Sequence, residues 1–279
     1  MTVDVGEVVT LEAGDAVVRI YPEQGGRLGR IDVGGAPLLR GPEEGAEAGW
    51  GWWGAFPLLP WCNRIPAGAF SFEGRDLAVP VNWEDGSAIH GLTANVPWTV
   101  VERDDVAVVE EVEAHVGPYD VRGTQRFTMT GTHLDLALSV ENLGAERVPV
   151  GLGIHPWFLA GDVQVPAAQR WQGEPMPTGE PRPVEPDEDL RTLGRPGPMD
   201  RGYTGLEGVE AVVPGGRLTW FGPITQVVVY TETEGYVCVE PVTMANDGFG
   251  LAARGVEGTG VLALDPGDST AVTYRFTWG

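Results

Sequence analysis

Glu240 falls in the run Tyr236-Val237-Cys238-Val239-Glu240-Pro241, whose alternation would aim a carboxylate from one face of a strand. His155 holds the comparable place in Gly151-Leu152-Gly153-Ile154-His155-Pro156-Trp157-Phe158. A carboxylate and an imidazole on separate strands, each followed by proline, are the smallest set that moves one proton on and another off a substrate. The glycine before and the proline after His155 predict a strand that ends at the histidine. Trp157 and Phe158, next along, could act as a platform for the apolar face of a sugar ring or belong to the core.

The other histidines sort by context. His115, near Gly117-Pro118, and His133, by the turn Gly131-Thr132, read as solvated strand-end residues. His90, in Ala88-Ile89-His90-Gly91-Leu92, sits in an apolar setting where a polar ring needs a partner. The run from Trp50 to Ile65 holds four of the ten tryptophans, and its glycines and prolines predict an aromatic loop rather than a strand. Arg64 in that run must find acceptors, either the oxygens of a sugar or a surface carboxylate.

The elements that must position these groups read as strands. Period-two alternation recurs at 107–113, 124–129, 134–140 and 226–230, with 41 glycines as punctuation and no stretch of helical period. Runs at 119–129 and 133–141, separated by Thr130-Gly131-Thr132, predict a long antiparallel hairpin. The fold class is therefore all-β, and at 279 residues one domain spanning 1–279 is the expectation. Between Pro166 and Pro198 eight prolines replace the alternation, which suits a functional segment or covering arm better than a linker between two cores.

Composition bounds the function classes. Forty acidic residues against 18 basic ones, all arginine, give a net charge of −22, which disfavours nucleic acid, anionic membrane and polyanionic partners. The absence of lysine fits a coding bias, and the acidity fits either that or adaptation to salt. With no leader-like N-terminus and no run of 18 apolar residues, the expected location is the cytoplasm. Cys62 and Cys238 form no metal-ligand spacing and no disulfide scaffold. Cys238 should share a sheet face with Glu240, so a thiol reagent reaching it would crowd the cleft, unless it is an inert buried cysteine, the reading favoured by its surroundings.

Taken together, Asn63-Arg64-Ile65, His90-Gly91, His155-Pro156-Trp157-Phe158 and Glu240-Pro241, in this order and spacing, resemble the aldose 1-epimerase (galactose mutarotase) family. The resemblance extends through Pro177-Thr178-Gly179-Glu180, Asp189-Leu190-Arg191 and the run Met199 to Leu206, from about residue 20 to the C-terminus. It implies a large antiparallel β-sandwich of supersandwich type, a cleft on one face, a small-molecule sugar substrate, no metal or organic cofactor, and a monomer or homodimer. Carried over by position, it makes Glu240 the general base and His155 the general acid. Arg64, His90, Asp200 and Asn63 become sugar ligands, with Trp157 beside them.

That chemistry needs those residue types. Exchanging α and β anomers takes the proton from the anomeric hydroxyl while the ring oxygen gains one; the ring opens, C1 rotates and the ring recloses. The resemblance also implies that Arg64 should hold Glu240 ionised and that Asp200 should favour protonated His155. Trp157 stands where tyrosine is frequent in the family, and Glu240 is followed by an unusual Pro241-Val242-Thr243, which leaves the choice of sugar open. A hexose-6-phosphate mutarotase, which would need arginines such as Arg27, Arg30, Arg40 or Arg75 gathered at the site, is one alternative. A sugar-binding protein without catalysis and a glycosidase using Asp200 with Glu240 are the others.

Overall fold

The computed structural model describes residues 4–279. Alternation in the sequence becomes alternation in burial: along His133–Asn142 every second residue is buried. This strand pairs antiparallel with Tyr119–Met129, so that Met129 faces Leu134 across the expected hairpin. Both belong to a seven-stranded sheet that runs, in spatial order, Thr99–Arg103, Ala107–Val116, Tyr119–Met129, His133–Asn142, Ser269–Trp278, Gly216–Phe221 and Glu210–Val213. An eleven-stranded sheet lies against it. The centre of that sheet orders Arg27–Val33, Ala55–Leu58, Gly153–Leu159, Tyr236–Val242, Gln226–Tyr230 and Asp200–Leu206.

One face of the large sheet supplies the core. Ile154, Phe158 and Val239 join Leu136, Leu138, Val140 and Phe276 of the other sheet in one buried cluster. The rings of Phe158 and Phe276 lie 6.3 Å apart across the interface. Since side chains alternate along a strand, His155, Trp157, Cys238 and Glu240 project from the opposite face. The architecture is thus a large antiparallel β-sandwich with two short α-helices among the described residues, Pro42–Gly45 and Gly248–Ala253.

Two local expectations are corrected. Ala55–Leu58, inside the glycine- and proline-rich aromatic run, is a fully buried strand between Arg27–Val33 and Gly153–Leu159. Apolar burial on both faces outweighs the lost donor of Pro57. The strand Gly153–Leu159 likewise passes through His155 without ending at Pro156.

Continuation through Pro156 has a consequence for the ladder. Trp157 N–H donates to Gly54 O at 2.8 Å, so its even-numbered neighbours face the strand Tyr236–Val242. Pro156 and Pro241 therefore each lack the N–H that would have bonded the other strand. Regular pairing is present at Gly153 with Val242 and at Trp157 with Cys238, and is absent for the three positions between. The carbonyl of Pro241 instead accepts a hydrogen bond from Tyr274 Oη of the other sheet at 3.1 Å.

The proline-rich segment adds Ala167–Arg170 and Arg182–Pro183 to the edge of the large sheet beyond Asp200–Leu206. The remainder folds over that edge. Glu188 holds it there by ion pairs to Arg170 at 2.9 Å and Arg182 at 2.8 Å.

One buried carboxyl outside the cleft ties the two sheets together. Gln125 Nε2 donates to Glu110 Oε1 at 2.9 Å and to Gly26 O at 2.6 Å, where the strand beginning at Arg27 starts. Glu110 is fully buried, and burial pushes its pKa up to about 8. The folded protein thus keeps a proton that the unfolded chain releases near 4.5, so stability falls as pH rises from that value through about 8. Glu110→Gln is expected to raise the urea midpoint at pH ~8.5 by the equivalent of about 2–4 kcal/mol and to change it little at pH ~5. Equal effects at the two pH values would contradict a buried neutral carboxyl.

Candidate active site

Register places the central pair. With Gly153 opposite Val242 and Trp157 opposite Cys238, His155 falls opposite Glu240 on the face turned away from the core. Their side chains meet where the ladder is interrupted, with Nε2 of His155 3.4 Å from Oε1 of Glu240. Phe56, opposite His155 on its other neighbour, stacks on the imidazole at 4.7 Å, and Trp157 stacks nearby at 5.4 Å. Two flat rings against the imidazole leave it little rotational freedom.

The pair lines a cavity of about 430 Å³, within the range of small-molecule sites. Asn63, Arg64, His90, Asp200 and Trp157 line it as well, so all seven residues selected from the sequence meet in one cleft. His90 and Asn63 both adopt left-handed backbone conformations, with φ of 60° and 53°. His90 N–H donates to Asn63 O at 2.9 Å, which locks the two turns to each other. Gly91 must follow His90, because a Cβ there would lie 1.9 Å from Leu59 O. The His90 ring stands edge-on to His155 at 5.1 Å.

Arg64 enters from the short strand Arg64–Pro66. Its backbone N–H donates to Asn246 Oδ1 at 2.9 Å, and Asn246 Nδ2 donates in turn to Pro175 O at 2.6 Å in the proline-rich arm. Its guanidinium donates from Nε to Asp85 Oδ2 at 2.9 Å and lies 3.7 Å, through Nη1, from Asp200 Oδ2. Arg64 thus has carboxylate partners, and they are lining or bordering groups of the cleft itself. Asp85 is fixed by Ser87, which donates to Oδ1 from both its N–H and its hydroxyl.

Several buried polar atoms in this cleft have no protein partner: Oε2 of Glu240, Nδ1 of His155, Nδ1 of His90 and Nδ2 of Asn63. Unpartnered polar atoms cost free energy when buried, and a polyhydroxylated ligand offers both donors and acceptors to them.

Charge states follow burial more than neighbours. Desolvation pushes the Glu240 carboxyl well above the ordinary carboxylate range, Asp200 adds to that, and Arg64 acts in the opposite direction. His155 is driven down to about 3 by burial, with Arg64 and Arg27 contributing. Burial likewise holds His90 well below its ordinary value. Burial thus disfavours the charged form of both groups, against the expected ion pair. Arg64 acts on Glu240 in the anticipated direction, yet solvent exclusion prevails. Asp200 influences Glu240 rather than His155.

Other lining residues were not singled out individually from the sequence, although the aromatic run and the proline-rich arm that hold some of them were. Trp52 and Trp83 from two loops, Tyr230 from the strand beyond Glu240, and Glu174 and Pro175 from the arm complete the walls. Asp85 went unread because nothing local ties it to Arg64, 21 positions away. His115 is exposed and bound to Asp120 at 2.7 Å; His133 is held by Thr130. Both cysteines are fully buried and neither lines the cavity, although Cys238 does share the Glu240 face. The expected route of a thiol reagent to the cleft is thereby closed.

The sequence profile of the aldose 1-epimerase family matches residues 7–277. The chain belongs to this family. The uncharacterized protein YphB of Escherichia coli K12 is 29% identical over 97% of this chain and 99% of its own length. The crystal structure of an Escherichia coli K12 protein designated provisionally as an aldose 1-epimerase superposes with a TM-score of 0.86 at 26% identity, covering 98% of this chain and 99% of that one. The galactose 1-epimerase of Lactobacillus acidophilus shares the fold at a TM-score of 0.78 and 14% identity, over 98% and 94% of the two chains.

Beneath the cleft of this family member lies a buried cation. Arg27 is wholly inaccessible, and it donates to Trp50 O at 2.6 Å, Trp53 O at 3.0 Å and Ala94 O at 2.8 Å. It also lies over the Trp53 ring at 4.4 Å. One guanidinium thus ties the aromatic loop to the floor below His155. Arg27→Met strands those carbonyls and is expected to cost roughly 3 kcal/mol, lowering the thermal midpoint by about 6–10 °C in scanning calorimetry. An unchanged midpoint would show that the loop is held by other contacts.

Proposed function

We propose that the protein interconverts the α and β anomers of an unphosphorylated aldohexose by acid–base ring opening and reclosure. The observation that carries this reading is the His155–Glu240 contact at 3.4 Å, sequestered on the floor of a cleft with unpartnered polar atoms around it. Glu240 takes the proton of the anomeric hydroxyl and His155 delivers one to the ring oxygen. The C1 to ring-oxygen bond opens, C1–C2 rotates, and the two groups reverse roles on reclosure. Each well-placed acid or base is worth about 10² to 10⁴-fold.

The directions in which burial moves the two groups fit this cycle. A protonated carboxyl beside a neutral imidazole holds the same number of protons as a carboxylate beside an imidazolium. Sugar hydroxyls that donate to Glu240 and a ring oxygen that accepts from His155 favour the second arrangement, so binding poises the pair without a proton from solvent. Arg64, held by Asp85, offers its remaining N–H groups to the sugar, with Asp200, His90 and Asn63 beside it.

The phosphorylated alternative finds little support. Arg27 is engaged with backbone carbonyls, Arg30 with Asp32, Glu43 and Glu44, and Arg75 with Arg147 O and Glu146. Arg40 lies against the rings of Tyr236 and Trp157 and does not line the cavity. A glycosidase reading would pair Asp200 with Glu240, but Glu240 contacts His155 and Asp200 faces Arg64.

Polarimetry of freshly dissolved α-D-glucose and α-D-galactose tests the reading. Wild type is expected to accelerate equilibration of at least one of them, and Glu240→Gln to lose at least about 10²-fold in kcat while remaining folded. A folded variant with most of its rate would remove Glu240 from the base role.

The pH profile supplies a second test. Activity requires the pair to hold one proton, so it is lost at low pH when a second proton adds and at high pH when the first leaves. With His155 lowered to about 3 and Glu240 raised, kcat/KM is expected to stay flat through the mildly acidic range. An acidic limb centred near 6.5, the value of free imidazole, would contradict this arrangement.

A further inference from the structure

We propose that this cleft prefers an aldose bearing an ammonium group, an aminodeoxy sugar, over the corresponding neutral aldose; the proposal rests on the sugar-binding reading of the same site. It begins with the charges of the cavity wall. Arg64 is the only lysine or arginine among the described residues lining it, against five carboxylic acids. Arg64 is already matched by Asp85 and Asp200. Glu174 is matched from outside the cavity by Arg170 at 2.8 Å and Arg201 at 2.6 Å.

Glu84 and Glu232 remain. Both line the cavity, both are exposed at its mouth, and neither has a cationic partner among the described residues. The effect of Glu232 reaches inward, since it is among the charges that raise the Asp200 carboxyl. Surface carboxylates alone would merely solvate the rim. Here they border a built site, where the buried Oε2 of Glu240 and Nδ2 of Asn63 stand without partners.

Aromatic rings share the same wall. Trp52 and Trp83 lie 6.4 Å apart, Trp52 and Trp157 5.6 Å, and Tyr230 stands edge-on to Trp157 at 5.7 Å. Electron-rich ring faces attract ammonium groups, and a carboxylate at the edge of such a cluster adds to the attraction. A neutral sugar uses the rings for its apolar face and gains nothing from Glu84 or Glu232. An anionic sugar is repelled by them. The net charge of −22 strengthens the same discrimination at low ionic strength.

Isothermal titration separates this idea from the mutarotase reading, because it measures binding without turnover. The probes are D-glucose, its 2-amino-2-deoxy and 6-amino-6-deoxy derivatives, and N-acetyl-D-glucosamine as the uncharged control, at about pH 6 and low salt. At least one amino sugar is expected to bind about fivefold more tightly than glucose. That ratio is expected to fall towards unity in Glu84→Gln/Glu232→Gln and at high salt. It should persist in Glu12→Gln/Asp105→Asn, a double neutralisation at a separate surface depression. Parity of both amino sugars with glucose overturns the proposal, as does a preference indifferent to the Glu84 and Glu232 substitutions. If no sugar anomerises yet an amino sugar binds with this pattern, the catalytic reading fails and this one stands.

Discussion

The contact between His155 and Glu240 depends on a defect in a β-ladder. Two neighbouring strands deep in a sheet would ordinarily bond at every position, and their side chains would stand in regular cross-strand pairs. Here Pro156 and Pro241 each withhold the donor that would have crossed the gap. Proline in a central strand is normally excluded, and these two, opposite Val239 and Ile154 in the register, each remove a donor from the gap. The loss is offset by Tyr274, which reaches through from the second sheet to the freed carbonyl of Pro241. Catalytic candidates sit one residue before each proline, so the chain couples the choice of acid and base to a local loosening of the sheet.

Around that defect everything else is rigid. The imidazole is stacked against Phe56 and Trp157, the turns carrying Asn63 and His90 are bonded to each other, and Arg64 is held through both its backbone and its guanidinium. These residues come from distant parts of the sequence, and the interactions between them are short and polar. The expense of burying so many polar groups without partners is borne by two packed sheets with a large apolar core. Arg27 contributes twice: it ties down the aromatic loop, and its charge helps keep His155 neutral.

What could be read in the sequence follows from which interactions are local. Period-two alternation is imposed by strand geometry, so the all-β class and the hairpin of Tyr119–Met129 with His133–Asn142 were visible in advance. Glu240 and His155 stood out because an ionisable group in an apolar strand is rare and needs a reason. The strand Ala55–Leu58 was hidden because its glycines and prolines are local signals for a loop, whereas burial between two neighbouring strands is not local. Asp85, Asn246 and the arm residue Pro175 were hidden for the same reason, since each acts through a contact across the fold.

The charge states expose a sharper limit. From residue types alone, an arginine and an aspartate near a Glu–His pair suggest an ion pair, because Coulombic neighbours are what a motif displays. The folded cleft removes water from both groups, and that penalty exceeds the influence of Arg64 on either. Burial favours the neutral form of each group, and in the proposed cycle sugar binding shifts one proton from the carboxyl to the imidazole. In the proposed reaction neither group needs a proton from solvent between turnovers, because ring opening in one direction leaves the proton where the reverse direction needs it. On the same proposal, discrimination between sugars falls to the walls that Trp52, Trp83 and the mouth carboxylates build above the pair.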